Sequence, residues 1–263
     1  MSLRVQDLLR HYGGVKALDG VSFGLQQGQC VALIGPNGAG KSTCFACLAG
    51  QQQPGAGRVF WHGRDVTDLS PAARQLRGMA RTFQVAQTFE ALTALQNLQL
   101  VRVRERLSWW DRLADREREP ALQALAQVGL SGQADARVAD LPYGAKKRLE
   151  LAMALAGLPD KNDKSERLLL LDEPAAGLAP AERADMMALV RQVANSGVTV
   201  LYTEHNMDAV FGVADRVLVL MQGRLVADGT PEAVAHDPQV RERYLGQDFD
   251  ARLFKEGLPD ARG

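Results

Sequence analysis

No apolar run in this sequence approaches the ~18 residues that a bilayer-crossing helix needs, so the chain carries no candidate span. The opening residues, Met1-Ser2-Leu3-Arg4-Val5-Gln6-Asp7, lack the apolar stretch of a signal peptide. Together these place the expected protein in the cytoplasm, with any membrane association supplied by a partner. An excess of either charge is also missing: Lys plus Arg and Asp plus Glu stand at 31 each, so charge alone does not steer the molecule onto nucleic acid. Cysteine occurs only at Cys30, Cys44 and Cys47. Cys44-Phe45-Ala46-Cys47 spells C-x-x-C, but a structural metal wants four ligands, and neither a second such pair nor clustered histidines are present. Core packing is the expected role of these thiols. What remains is 263 residues, 46% hydrophobic and 24% charged, enough for one or two globular domains with an ordinary core.

The most informative stretch is Gly35-Pro36-Asn37-Gly38-Ala39-Gly40-Lys41-Ser42, followed by Thr43. It fits G-x-x-x-x-G-K-[ST] at every fixed position. Cys30 to Ile34 before it reads as a buried strand, and Thr43 to Ala49 after it as helix. Phosphate binding needs that setting. Glycines let the backbone wrap round phosphate oxygens and aim several N–H groups at them, and the helix dipole favours an anion. Lys41 supplies a point charge to the outer phosphates, and the Ser42 hydroxyl suits Mg²⁺.

A second carboxylate-bearing element is Arg167-Leu168-Leu169-Leu170-Leu171-Asp172-Glu173-Pro174. Four leucines ending in two acids read as a buried parallel strand that delivers charge at its C-terminal end, where open α/β sheets bind ligands. As neighbours on a strand, Asp172 and Glu173 are expected to point different ways and divide two roles. Val198 to Thr203 is another buried strand ending on Glu204-His205, which puts a histidine at the same sheet edge.

The remaining segments frame these. Leu3 to Leu9 and Val21 to Leu25 read as strands joined through His11-Tyr12-Gly13-Gly14; Arg58 to Trp61 and Arg64 to Val66 flank a His62-Gly63 hairpin turn. They form an expected antiparallel layer beside the nucleotide core. Tyr12 can stack on a base or serve as an ordinary turn aromatic. Ala80-Arg81-Thr82-Phe83-Gln84 is β-like and ends on an amide. From about residue 86 to 157 the β-branched runs give way to helical patterns at Leu92 to Leu98, at Ala121 to Val128 opened by Pro120, and at Lys146 to Leu158. Arg102 to Glu119 mixes both charge signs round Trp109-Trp110, a solvated stretch in which local packing is the favoured role of the Trp pair. Leu141-Pro142-Tyr143-Gly144-Ala145 leaves free N–H groups at a helix start, a weak anion signal by itself. Pro180 to Ala194 is a helix, Val217 to Ala227 a closing hairpin, and residues 247–263 a loosely held tail. The expected architecture is an α/β P-loop NTPase (RecA-like) core with an antiparallel β subdomain and an inserted α-helical subdomain.

Taken together these motifs resemble the ATP-binding subunit of ABC transporters, over nearly the full length. The general resemblance rests on residues 35–43, Gln84, 141–145, Leu171-Asp172-Glu173 and His205. Within that family the chain is similar to the branched-chain (hydrophobic) amino acid uptake type, through Arg81-Thr82-Phe83-Gln84, Leu141-Pro142-Tyr143-Gly144 with Arg148-Leu149-Glu150, Glu173 to Leu178, Glu204-His205-Asn206-Met207, Gly229-Thr230-Pro231-Glu232 and Tyr244-Leu245-Gly246. The resemblance implies a role for each matched residue. Tyr12 stacks on adenine. Gly35, Pro36, Asn37, Gly38, Ala39, Gly40, Lys41, Ser42 and Thr43 hold the phosphates. Ser42 and Gln84 ligate Mg²⁺, with Asp172 helping through water. Glu173 polarises the attacking water, and His205 contacts the γ-phosphate. Leu141, Pro142, Tyr143 and Gly144 cap the ATP of an opposite subunit, so that two ATPs are sandwiched in a dimer. It also implies integral membrane permease subunits docked near Gln84 and the helical insert, a periplasmic solute-binding protein as an indirect partner, and a peripheral place on the cytoplasmic side of the inner membrane.

Two departures from the family pattern stand out. The usual signature L-S-G-G-Q is here Leu141-Pro142-Tyr143-Gly144-Ala145, without the serine hydroxyl, and an aspartate common after Pro174 is here Ala179. Loss of one such donor costs about 1–3 kcal/mol, so a heterodimer with a better-matched paralogue is an expectation. A soluble ABC-type ATPase acting on nucleic acid or ribosomes is the alternative; such proteins usually carry two phosphate loops or a long coiled-coil insert, and this chain has neither. A nucleotide switch with little hydrolysis is disfavoured by Glu173 beside Asp172. Lys41→Ala is expected to abolish ATP binding, measured by equilibrium titration of the full-length protein with a fluorescent ATP analogue; unchanged affinity would refute the role given to the loop.

Overall fold

The computed structural model describes residues 1–82, 88–102, 117–159, 166–246 and 249. Two sheets form its frame. The first is antiparallel, with β1 (Leu3–Tyr12), β2 (Val15–Leu25), β4 (Ala56–Trp61) and β5 (Arg64–Asp65) in the order β2-β1-β4-β5. The expected β layer is therefore present, but its first hairpin is longer than the apolar pattern predicts. The strands run to Tyr12 and from Val15, which pair across Gly13-Gly14. The apolar alternation of β1 breaks between Val5 and Leu8, where the register shifts and Asp7 adopts φ 45°. This is a β-bulge, stabilised by the Ser22 hydroxyl, which accepts from the Asp7 N–H at 2.7 Å and donates to the Asp7 carboxylate at 3.0 Å.

The second sheet contains β3 (Cys30–Ile34), β6 (Met79–Arg81), β7 (Leu168–Asp172), β8 (Thr199–Thr203), β9 (Arg216–Met221) and β10 (Arg224–Gly229). Its order is β10-β9-β3-β8-β7-β6, parallel throughout except for the β9–β10 hairpin. Central parallel strands are covered on both faces, which is why β3, β7 and β8 read as unbroken apolar runs. The two-residue period of a strand then sorts them into two cores. Val31, Leu33, Leu168, Leu170, Leu201 and Leu218 face the antiparallel sheet and helix α1 (Lys41–Leu48). Cys30, Ala32, Ile34, Leu169, Leu171, Val200 and Tyr202 face the remaining helices.

Between β6 and β7 the regular elements of the described residues are helical. They are α3 (Ala94–Arg102), α4 (Arg118–Gln127) and α5 (Tyr143–Ala156), after the short α2 (Pro71–Gln75) that precedes β6. Leu95, Leu98, Ala121, Leu125 and Leu149 bury into the same core as Leu169 and Leu171. Two helix starts differ from the sequence expectation. Pro120 lies in the first turn of α4 instead of opening it, a place where a missing N–H costs nothing. Helix α5 begins at Tyr143, three residues before Lys146, because Pro142 with ψ 153° is an extended residue that launches the helix immediately. Trp109 and Trp110 lie outside the described residues.

Helices α6 (Pro180–Asn195), α7 (Met207–Phe211), α8 (Pro231–His236) and α9 (Pro238–Val240) complete the fold. In α6 the fully buried stripe is Met186, Met187, Val190 and Ala194, while Leu189 and Val193 are only partly covered. Phe249 packs on Phe211 with ring centroids 5.0 Å apart. All three cysteines are free and fully buried; burial pushes the Cys30 thiol up to about 12 and Cys44 higher still, so both are inert core groups.

Candidate nucleotide-binding site

The site follows from strand register. Leu33 of β3 and Asp172 of β7 both pair with Thr203 of β8. The C-terminal ends of three parallel strands therefore stand level, and the segments leaving them carry Gly35, Glu173 and Glu204-His205. A ligand at this edge meets all three, as the general rule for open α/β sheets requires.

The loop after β3 turns sharply. Gly35 has φ 149°, and a Cβ there would lie 2.0 Å from the Leu220 carbonyl oxygen; at Gly40, with φ 105°, it would lie 2.2 Å from the Ala17 carbonyl oxygen. Only glycine fits either place. Lys41 then folds back so that Nζ donates to the carbonyls of Gly35 at 2.6 Å and Pro36 at 3.2 Å, holding the loop closed. An ammonium has three N–H donors, so one remains for an incoming oxygen. Burial lowers the Lys41 pKa, while the Glu173 and Asp172 carboxylates favour its charged form. Helix α1 has neither a side-chain cap nor an acidic residue in its first turn, and its first internal bond is Cys44 N–H to Gly40. The N–H groups before it are the usual anion-binding end of a helix.

Asp172 is held by both of its oxygens: Oδ1 accepts from the Thr203 hydroxyl at 2.8 Å and Oδ2 from Arg81 at 2.7 Å. Arg81 also donates to Gln51, just past α1. Glu173 leaves the strand with φ 49°, a left-handed conformation rare outside glycine, asparagine and aspartate. The expectation of two ordinary strand neighbours is therefore corrected: the backbone twists between the two acids. The Glu173 N–H donates to the Thr203 hydroxyl at 3.0 Å, and its Oε1 lies 3.0 Å from His205 Nε2. Glu204 is 1% exposed and accepts from the Ala175 N–H at 2.9 Å and from its neighbour's, His205, at 3.2 Å.

Lys41, Asp172, Glu173 and His205 are thus brought to one edge. Gln84 lies outside the described residues. Tyr12 closes β1 instead of sitting in a loop; it is half exposed, its hydroxyl donates to Gln52, and the Arg10 guanidinium stands 4.9 Å from its ring centroid. Leu141, Pro142, Tyr143 and Gly144 form a second cluster at the α5 N-terminus. There a Cβ on Gly177 would touch Tyr143 at 3.2 Å, and one on Gly144 would meet Glu182 at 2.8 Å. Three anchoring residues escaped the sequence reading. Arg81, Thr203 and Glu204 carry the hydrogen bonds that fix the acids and the imidazole, and the available signal was polar residues closing otherwise apolar strands at one level.

The donor set suits a divalent cation. The Ser42 hydroxyl is exposed beside the phosphate loop, and Asp172 keeps lone pairs beyond its two chain contacts, which fits a carboxylate acting through a water.

Fold and site together define a P-loop ATPase. A model described as ABC transporter matches residues 18–176, and one described as branched-chain amino acid ATP-binding cassette transporter matches residues 224–250. The high-affinity branched-chain amino acid transport ATP-binding protein BraF of Pseudomonas aeruginosa is 37% identical over 256 residues, covering 93% of this chain and 98% of the relative. The lipopolysaccharide export system ATP-binding protein LptB of Escherichia coli (strain K12) is 32% identical, covering 94% and 98%. The crystal structure of the ADP conformation of MJ1267, an ATP-binding cassette of an ABC transporter, superposes with a TM-score of 0.80 at 31% identity, covering 94% of this chain and 99% of that one. The chain belongs to the ABC transporter family, as an ATP-binding subunit.

Thr203→Val removes a hydroxyl that serves both acids while keeping the side-chain volume. It is expected to cost about 1–3 kcal/mol of stability, read from the denaturant midpoint, and to lower ATP turnover more than it changes KM.

Proposed function

We propose that this chain binds and hydrolyses ATP to power a membrane importer for branched-chain amino acids or related small solutes. The observation that carries the ATPase half is the convergence of Lys41, Asp172, Glu173 and His205 on one sheet edge. The cargo class rests on the BraF likeness together with the C-terminal match at 224–250. LptB, alike to a lesser degree, serves an export system, which fits a cargo chosen by the membrane subunits and not by this chain.

In this reading Gly35 to Thr43 wrap the phosphates, Lys41 turns its third N–H to the outer ones, and the half-exposed Tyr12 ring packs on adenine. Ser42 and Gln84, with Asp172 through a water, would hold Mg²⁺, which when bound would neutralise charge on the outer phosphates. Glu173 polarises the attacking water, and His205, 3.0 Å from its carboxylate, orients it and contacts the γ-phosphate. The products are ADP and inorganic phosphate. Leu141, Pro142, Tyr143 and Gly144 cap the ATP held by a second ATP-binding subunit, through free N–H groups and the α5 dipole.

In this reading residues 1–246 are one ATP-binding domain into which a helical subdomain at about 86–157 is inserted, and 247–263 are assigned as a C-terminal tail. Among the described residues no helix is long and apolar enough to cross a membrane. Attachment to the cytoplasmic face of the inner membrane would come through permease subunits docked on the inserted helices, with a periplasmic solute-binding protein delivering cargo from the far side.

Glu173→Gln is expected to bind ATP with near wild-type affinity, to hydrolyse it about 10²–10⁴-fold more slowly, and to accumulate as an ATP-bound dimer in gel filtration; wild-type turnover removes Glu173 as catalyst. The transporter half is tested by affinity purification from detergent-solubilised membranes. A multi-span permease should come down with the chain and be lost when the partly exposed Gln96 and Leu100 of α3 are changed, whereas recovery with ribosomes instead supports the soluble alternative.

A further inference from the structure

The proposed chemistry needs Glu173 and His205 together, yet they leave different strands and each begins an irregular turn. Glu204 sits between these turns. It follows an uncharged, fully buried strand, and its carboxylate is among the most buried in the described structure. One oxygen accepts the Ala175 N–H, two residues after Glu173; the other accepts the N–H of His205 itself. A carboxylate is acceptor-only and can take donors at both oxygens at once, which an amide of the same shape cannot.

We infer that Glu204 is a positioning residue, tying the turn after Glu173 to the turn carrying His205 and so setting the 3.0 Å approach of imidazole to carboxylate. The inference rests on the proposed roles of Glu173 and His205. Burial raises the Glu204 pKa, and the Glu173 charge adds to that, while the N–H groups of Ala175, His205 and Asn206 oppose both. The carboxylate is thus kept in an apolar place where its described partners are backbone donors of two active-site turns. Simple capping of α7 accounts for neither bond, because its N-cap is Asn206, His205 precedes it, and Ala175 belongs to neither α7 nor β8.

Glu204→Gln keeps the shape but turns one acceptor into an NH₂ facing an N–H, so one tie becomes a repulsion. In the full-length protein kcat should fall about tenfold or more, the effect of one charge-assisted bond, with KM for ATP within about twofold. The discriminating measurement is a double-mutant cycle with His205→Ala. If Glu204 acts through His205, its substitution in the His205→Ala background should cost less than about threefold. A full tenfold loss repeated in that background, or an unchanged kcat in Glu204→Gln alone, overturns the inference while leaving the site reading intact. Wild-type kcat in His205→Ala overturns both. A measurement that needs no variant is amide exchange in the wild-type chain. The Ala175 and His205 amides should exchange as slowly as those of β8, and rapid exchange at either would remove the tie.

Discussion

The parallel alignment of β3, β7 and β8 is the constraint on which the site depends. Leu33, Asp172 and Thr203 stand level because the strands are hydrogen-bonded in one register. A slip of one residue in any of them would exchange its two faces and carry its terminal group away from the others. That slip is opposed by the packing of both faces. Leu168 and Leu170 point to one core and Leu169 and Leu171 to the other, so a misregistered β7 would have to exchange its leucines between two cores of different shape. Leucine packing, remote from any phosphate, is therefore what keeps Asp172 and Glu173 in place.

Apolar burial has to be reconciled with the charge gathered at this edge. Lys41, Asp172, Glu173 and Glu204 lie close together and mostly covered, where isolated ions are strongly disfavoured. Each is met by a group of the chain: Lys41 by two carbonyls, Asp172 by Arg81 and Thr203, Glu173 by the His205 imidazole, Glu204 by backbone N–H groups. Arg74 shows the same principle away from the site. It is fully buried, and its guanidinium donates to the carbonyls of Cys47, Leu48, Thr67 and Leu69, capping the end of α1 opposite the phosphate loop. The helix that begins at Lys41 is thus fixed at its far end by a buried cation.

How much of this could be read from the sequence follows from the range of each interaction. The phosphate loop is local: its glycines, lysine and serine are contiguous, so the motif specifies the turn. The strand ending in Asp172-Glu173 was legible because burial on both faces leaves an uninterrupted apolar run. The left-handed twist at Glu173 was not, since it depends on Thr203, thirty residues away, accepting the Glu173 N–H. Arg81 could be quoted as part of a motif but not assigned a contact, because its partners Asp172 and Gln51 come from two other elements. The inner ends of the first hairpin, Arg10 to Tyr12 and Val15 to Gly20, are not legible because they are mostly uncovered and so carry no apolar alternation on which a strand assignment could rely.

The altered cap at α5 has a physical logic of its own. Where the family places a small residue, Tyr143 lays its ring over Gly177, which lacks a Cβ and sits at φ 77°. The turn that follows Glu173 and the helix that would cap a partner's ATP are therefore packed together within one chain, through a contact a glycine at 143 could not make. Ala179 fits the same pattern: α6 begins without a side-chain cap, and Glu182 reaches back to the Ala179 N–H at 3.3 Å. On the proposed reading the phosphate loop, both acids and the imidazole are complete, while the face offered to the partner has exchanged hydroxyl and carboxylate for aromatic and backbone groups. A homodimer would place two weakened caps over two complete loops. On that same proposed reading, a paralogue with the fuller signature would give this chain's own ATP the stronger cap, and that asymmetry would favour pairing between unlike subunits.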